Sequence, residues 1–301
     1  MKYFRPINNA GESSGVWSFD GKTALRIGVP NPMSSPNSHA IVEDGKTLFD
    51  AMENQLKAFF VHGAPCVLKD MPLKPGEYYP RIARPNDQNP NDLPIYPDAV
   101  LYEQEIAITK GQLVSLTSRL QQICQTVHPT PSTYNTYGHE IRNLLILACT
   151  EVEAQWKGVL EANGSSGRNT NDYAKLKHAM RLNEYSVSLT HYPWLPALQP
   201  FKNWDPADPT KSLDWYQAYH NVKHDREAKF SEATLIHAMH AVCASMVMLY
   251  AQFGRQLATR WRHEIAYFFE LAQTPKFCPT EVYTHPYEGH AIGYTAVNYP
   301  F

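Results

Sequence analysis

The feature that most constrains this chain is a run of apolar residues between positions 235 and 250. Leu235, Ile236, Met239, Val242, Cys243, Met246, Val247 and Tyr250 recur at helical spacing on a face too broad for a single contact. Such a helix must be covered on more than one side, either as the central member of a bundle or as a member that also meets a second copy. A membrane is a poor alternative, because the most apolar stretch, Ala241 to Ala251, falls well short of the ~18–20 residues that a span needs. At 301 residues the chain is long enough to supply the covering walls.

Those walls are legible in the same periodicity. Leu113, Leu116, Leu120, Ile123 and Val127 step by three and four until Pro129 stops them. The clearest helix runs from His139 to Glu161, with Ile141, Leu144, Leu145, Ala148, Val152 and Val159 as its buried stripe, Glu151 on the stripe's edge and Asn163-Gly164 as its close. A short helix starting at Ser212 carries Trp215, Tyr216 and Tyr219. Ser231 is the expected N-cap of the apolar helix, and Gly254 its end or kink. Val100, Tyr102, Ile106 and Ile108 suggest a strand, and Tyr185, Val187 and Leu189 alternate. Leu257, Trp261, Ile265, Phe268 and Phe269 predict one more helix before an irregular tail with a short strand around Val282-Tyr283.

Upstream, Val16 to Val29 reads as a hairpin about an Asp20-Gly21 turn, and Thr47 to Asp50 as a capping box opening a helix that ends near Gly63. Seven prolines between Pro72 and Pro97 exclude continuous helix or central strand. The expected division is therefore residues 1–98, a small α/β region with a proline-rich connector, and residues 99–301. The expected fold class is mainly α: an antiparallel helical bundle of helices near 112–127, 139–161, 212–223 and 232–253, with the small N-terminal α/β appendage.

A formal net charge of −2 gives no overall basic field for a polyanion, so any nucleic-acid contact has to be a local patch. Five scattered cysteines without a Cys-x-x-Cys pair, and an N-terminus without an apolar h-region, predict free thiols and a cytoplasmic protein. The sequence lacks a glycine-rich phosphate loop, a Gly-x-Ser-x-Gly elbow and a paired zinc knuckle.

Chemistry concentrates in Trp215-Tyr-Gln-Ala-Tyr-His-Asn-Val-Lys-His-Asp-Arg226, at the junction before the apolar helix. Metal-independent RNA cleavage needs a group near neutral pKa for the 2′-hydroxyl proton and a cation for the charge growing on phosphorus oxygens. His224 is the candidate base, Lys223 or Arg226 the cation, and Asn221 a phosphate donor. The competing reading is capping: polar residues collect wherever one helix ends and another begins.

This stretch, with the helix opened by His139-Glu-Ile-Arg-Asn143, its edge carboxylate, the Asn-x-Lys-His-Asp-Arg segment and the apolar helix after it, resembles the HEPN superfamily over about Tyr134 to Gly254. The resemblance implies a helical bundle that dimerises along a groove and acts on RNA as a ribonuclease or RNA-binding effector in toxin–antitoxin or phage-defence systems. It further implies RNA, and an antitoxin or other protein, as partners. His224 matches the motif histidine and Asn221 its polar companion. The family's arginine, four to six residues before the histidine, has no match at Gln217, Ala218 or Tyr219, so its role passes to Lys223, Arg226 or Arg142. Arg142, Glu151 and His220 are the expected substrate-side residues. A non-catalytic dimerising helical module is the alternative.

Two further clusters carry weaker signals. His237 and His240 lie three apart with Glu232 upstream, but lack the context of a zinc helix, so neither metal nor cofactor is expected. Arg255, Arg260, Arg262 and His263 around Trp261 make a basic, aromatic patch that reads as the solvated face of an amphipathic helix before it reads as an RNA surface.

Overall fold

The structure is a computed structural model that describes residues 1–60, 65–84, 98–259, 264–286 and 293–301. The chain divides into two compact units: Met1–Tyr78 with Arg84–Ile95 and Lys276–Ala296, and Tyr79–Ala83 with Tyr96–Pro275 and Val297–Phe301. The division differs from the expected one at its far end, since most of the C-terminal tail belongs to the first unit and not to the helical one.

The first unit is an antiparallel sheet of β1 (Lys2–Asn8), β2 (Trp17–Phe19), β3 (Thr23–Arg26), β4 (His39–Ile41) and β5 (Cys66–Asp70), in the order β4-β3-β2-β1-β5. The expected hairpin is β2 and β3, with Trp17 opposite Arg26. Its turn is held by Asp20, whose Oδ1 accepts from the Lys22 and Thr23 amides at 2.8 and 2.7 Å, and by Gly21 at φ 107°. Thr47 and Asp50 form the capping box of α1 (Leu48–Ala51), which bends at Met52 into α2 (Glu53–Phe59). These helices bury Met52, Leu56 and Phe60 against Phe4, Trp17, Ala24 and Ala40. Gly63, expected to close the helix, lies outside the described residues. β6 (Glu77–Tyr78) pairs in parallel with Thr295–Ala296, and no strand forms at Val282-Tyr283, where the chain instead turns through Cys278–Glu281.

The second unit is helical: α3 (Asp98–Leu101), α4 (Glu103–Thr126), α5 (His139–Ala162), α6 (Thr170–Tyr173), α7 (Leu176–Ala179), α8 (Asp214–His224), α9 (Arg226–Lys229), α10 (Leu235–Thr259) and α11 (Glu264–Phe268), with β7 (Ser186–Leu189) and β8 (Phe269–Gln273) paired antiparallel. α10 is the core helix, packed by α4, α5 and α8. By length and composition Leu235–Gly254 is apolar enough to cross a membrane, yet most of it is buried inside the bundle. Small residues let α5 and α10 approach closely: Ser245 Oγ on α10 donates to the Ala148 carbonyl at 3.4 Å. The Ser245–Ala148 and Gln252–Gln155 hydrogen bonds share an offset of 97 residues, so α5 and α10 run parallel. α8 runs against α5, since Tyr216 meets Trp156 and Glu153 while Lys223 lies toward Cys149. Tyr102, just before α4, meets Phe253 near the end of α10, so α4 opposes α10. The four long helices α4, α5, α8 and α10 thus alternate in direction along the chain, as expected for an antiparallel bundle.

Three local expectations are corrected. Residues 98–108 are helical and not a strand: Ile106, Thr109, Leu113, Leu116 and Leu120 are buried at steps of three and four, whereas Val100 and Ile108 are exposed. α10 starts at Leu235, and Ser231 sits in a 3-10 turn, Phe230–Glu232. Phe269 opens a strand and does not extend a helix, because β7 offers a free edge to pair with. Gly254 does kink α10, at φ 71° and ψ 175°. The proline-rich passage from Pro193 to Pro209 packs inward, placing Phe201 and Trp204 with Trp215 around Trp156, while the Trp204 and Trp215 indoles donate to the Pro209 and Pro200 carbonyls.

Candidate functional site

α8 buries Trp215, Ala218, Tyr219 and Val222 and so presents two polar flanks. The flank toward α5 carries Tyr216, Tyr219, His220, Lys223 and His224. Glu153 of α5 accepts hydrogen bonds from the Tyr216 and Tyr219 hydroxyls at 2.6 and 3.3 Å. Lys223 Nζ donates to the Tyr219 hydroxyl at 2.8 Å and lies 4.9 Å from that ring's centre. The carboxylate, two phenols and ammonium form a continuous line from α5 to the solvent edge of α8. Burial, then the hydrogen bond to Glu153, pushes the Tyr216 phenol well above its usual range, and burial raises Tyr219. The Lys223 ammonium is held charged, chiefly by its bond to Tyr219. Cys149 beneath them is fully buried, which raises its thiol pKa and keeps it from acting as a nucleophile.

The two histidines of the stretch stand side by side. The His220 and His224 ring centres are 5.9 Å apart at 31°. His220 packs edgewise on Tyr216 and Tyr219, and its Nε2 is buried without a partner. Burial lowers its pKa, with His224 and Lys223 adding to the effect. His224 is exposed on the last turn of α8.

The other flank is structural at its lower end. Asn221 Nδ2 donates to Glu232 Oε2 at 2.5 Å, and its Oδ1 accepts from Gln217 Nε2 at 2.6 Å. Lys229 pairs with Glu232 at 2.8 Å, and both bonds hold that carboxyl below its usual pKa. Asn221 therefore ties α8 to the turn before α10, and its amide is not a free phosphate donor. Asp225 breaks the helix and caps α9, accepting from the Ala228 amide at 3.2 Å. Arg226 follows, exposed and without an ion pair among the described residues.

Of the residues singled out from sequence, His220, Lys223 and His224 share one flank and Arg226 follows on α9. Arg142 is half-buried one turn into α5, and its Nε is buried without a partner. Glu151 is placed elsewhere. It accepts from Gln155 at 2.9 Å, Gln155 accepts from Gln252, and Gln252 accepts from Arg81, so it ends a polar chain on the α10 side of α5. Burial raises its pKa. Glu153 is the carboxylate that faces α8, and only the two tyrosines spaced to meet it could have pointed to it. No cluster of three metal-ligating side chains occurs among the described residues. His237 Nδ1 lies 2.7 Å from the Glu232 carbonyl, and burial pushes His240 down to about 4. The Arg255 side chain and residues 260–263 of the basic patch lie outside the described set. No family model, curated protein sequence or solved structure matches this chain.

Proposed function

We propose that the chain is a metal-independent endoribonuclease of HEPN-like type, with His224 as the group that moves the proton. The observation that carries this reading is the exposed His224 imidazole at the end of α8, preceded by the Lys223 ammonium and followed on α9 by Arg226, which has no ion pair among the described residues. His224 would take the 2′-hydroxyl proton as that oxygen attacks phosphorus. The resulting imidazolium would return the proton to the departing 5′-oxygen, leaving a 2′,3′-cyclic phosphate and a 5′-hydroxyl. Lys223 and Arg226 would hold the non-bridging oxygens, with Arg142 approaching from α5. His220 supports the ring of His224 and contributes no competing positive charge while neutral. Under this reading RNA is the partner, and a homodimer would bring two copies of the site to one groove.

Incubating the purified protein with total RNA beside the His224→Ala form tests the proposal. His224 is exposed, so the variant should fold, and cleavage should fall at least a hundredfold. Equal cleavage by both forms would remove His224 from the chemistry, and intact RNA with both would transfer support to a non-catalytic helical module, for which the internal bonds of Asn221 and the capping role of Asp225 already speak.

A further inference from the structure

On the flank of α8 away from the two histidines lies a cleft of about 480 Å³, within the size range of small-molecule sites. Asp214 and Gln217 line it from α8, Glu232 and Thr234 from the turn before α10, His237 from the first turn of α10, and Tyr137 from the segment before α5. No lysine or arginine lines it.

Hydrogen-bond accounting identifies what is missing there. Asp214 is exposed and makes no hydrogen bond or ion pair among the described residues, although its charge acts on His240. Gln217 commits its amide N–H to Asn221, which leaves its carbonyl oxygen available. His237 Nδ1 lies 2.7 Å from the Glu232 carbonyl, so the Nδ1–H tautomer of the ring presents Nε2 as a lone-pair acceptor. Thr234 is only 8% exposed, and its Oγ1 is buried without a partner. A buried unpaired hydroxyl costs about 1–3 kcal/mol, so a group that satisfies it has a standing advantage. Tyr137, 52% exposed, adds an aromatic ring at the rim. With Glu232 already paired to Lys229, the Asp214 carboxylate, the neutral acceptors and the aromatic together match a donor-rich cation.

We infer that this cleft binds a small organic cation, an alkyl guanidinium or alkylammonium. Its N–H groups would reach Asp214, the Gln217 carbonyl, His237 Nε2 and Thr234 Oγ1, with its charge against the Tyr137 ring. The inference does not depend on the ribonuclease reading, since none of these residues belongs to the proposed catalytic flank.

Isothermal titration calorimetry on the whole chain, with n-butylguanidinium and n-pentylammonium as probes and n-butylurea as the uncharged near-isostere, tests it. Saturable one-to-one binding of at least one cation is expected, with butylurea at least tenfold weaker. Asp214→Asn, at an exposed position that does not support the fold, should weaken the cation at least tenfold. Thr234→Val should lower affinity severalfold while leaving the melting temperature of the free protein unchanged or higher, a combination that a purely structural threonine would not produce. Absence of saturable binding by both cations, equal binding of butylurea, or an affinity unmoved by Asp214→Asn would overturn the inference.

Discussion

Replacing Gln252 by leucine removes the centre of a buried polar network in the bundle core. Gln252 is 2% exposed. Its Oε1 accepts from Arg81 Nε and Nη2 at 2.9 and 2.6 Å, and its Nε2 donates to Gln155 Oε1 and the Met248 carbonyl at 2.9 and 3.0 Å. Leucine has similar volume, so little of the loss comes from a cavity. Two charge-assisted bonds, one amide–amide bond and the bond to the Met248 carbonyl disappear, and a guanidinium only 8% exposed loses this acceptor. Breaking a buried charged network by removing one partner costs about 3–5 kcal/mol. At about 2–4 °C per kcal/mol for a unit of this size, the melting temperature should fall by roughly 6–20 °C. Urea unfolding followed by fluorescence of the Trp156, Trp204 and Trp215 cluster reads the change directly. Gln252→Glu keeps an acceptor for Arg81 and should lose less than half as much. A leucine variant within about 1 kcal/mol of wild type would refute the claim that this network holds the segment at residues 79–83 to α10.

Two further predictions concern pH. The Glu151 pKa is raised in the folded state by burial, so its contribution to stability is present below the ordinary value of 4.5 and lost as pH rises through the raised folded value. Glu151→Gln should therefore melt higher than wild type at neutral pH, with the gain vanishing below 4.5; a gain that persists in acid would contradict burial as the cause. His240 is depressed, from 6.5 to about 4, so its contribution is full above 6.5 and lost as pH falls through about 4. It amounts to no more than about 3 kcal/mol. In a pH series of chemical denaturation, His240→Leu should flatten that part of the profile, and a slope matching wild type would show that the imidazole is not desolvated.

Much of the fold was legible because burial along a helix is a local pattern. The stripe of α5 from Ile141 to Val159 and the breadth of the apolar face of α10 are written in steps of three and four, and the Thr47 capping box and the Asp20-Gly21 turn are local devices. The strand expected at residues 100–108 failed because a few alternating apolar residues satisfy both periods, and only the buried side of α4 decides between them. Ser231 failed as a cap for a related reason: several polar residues precede Leu235, and Glu232 is engaged with Lys229 and Asn221 on the way. In the candidate site, the density of the stretch around His224 was visible from its residues. Which carboxylate faces it was not, since Glu151 and Glu153 sit two apart and so on different sides of α5.

The amino-acid order alone determined that this chain builds a helical bundle around one apolar helix, that a small sheet unit precedes it, and that imidazoles and cations crowd the end of α8. The tertiary structure decided which groups answer one another: Glu153 with the two tyrosines, Glu232 with Asn221, and the Thr234 hydroxyl with no hydrogen-bond partner among the described residues. The physical reason is range. Periodicity and capping act within a few residues, whereas those pairings depend on how helices far apart in the chain slide against each other, as the 97-residue offset between α5 and α10 illustrates.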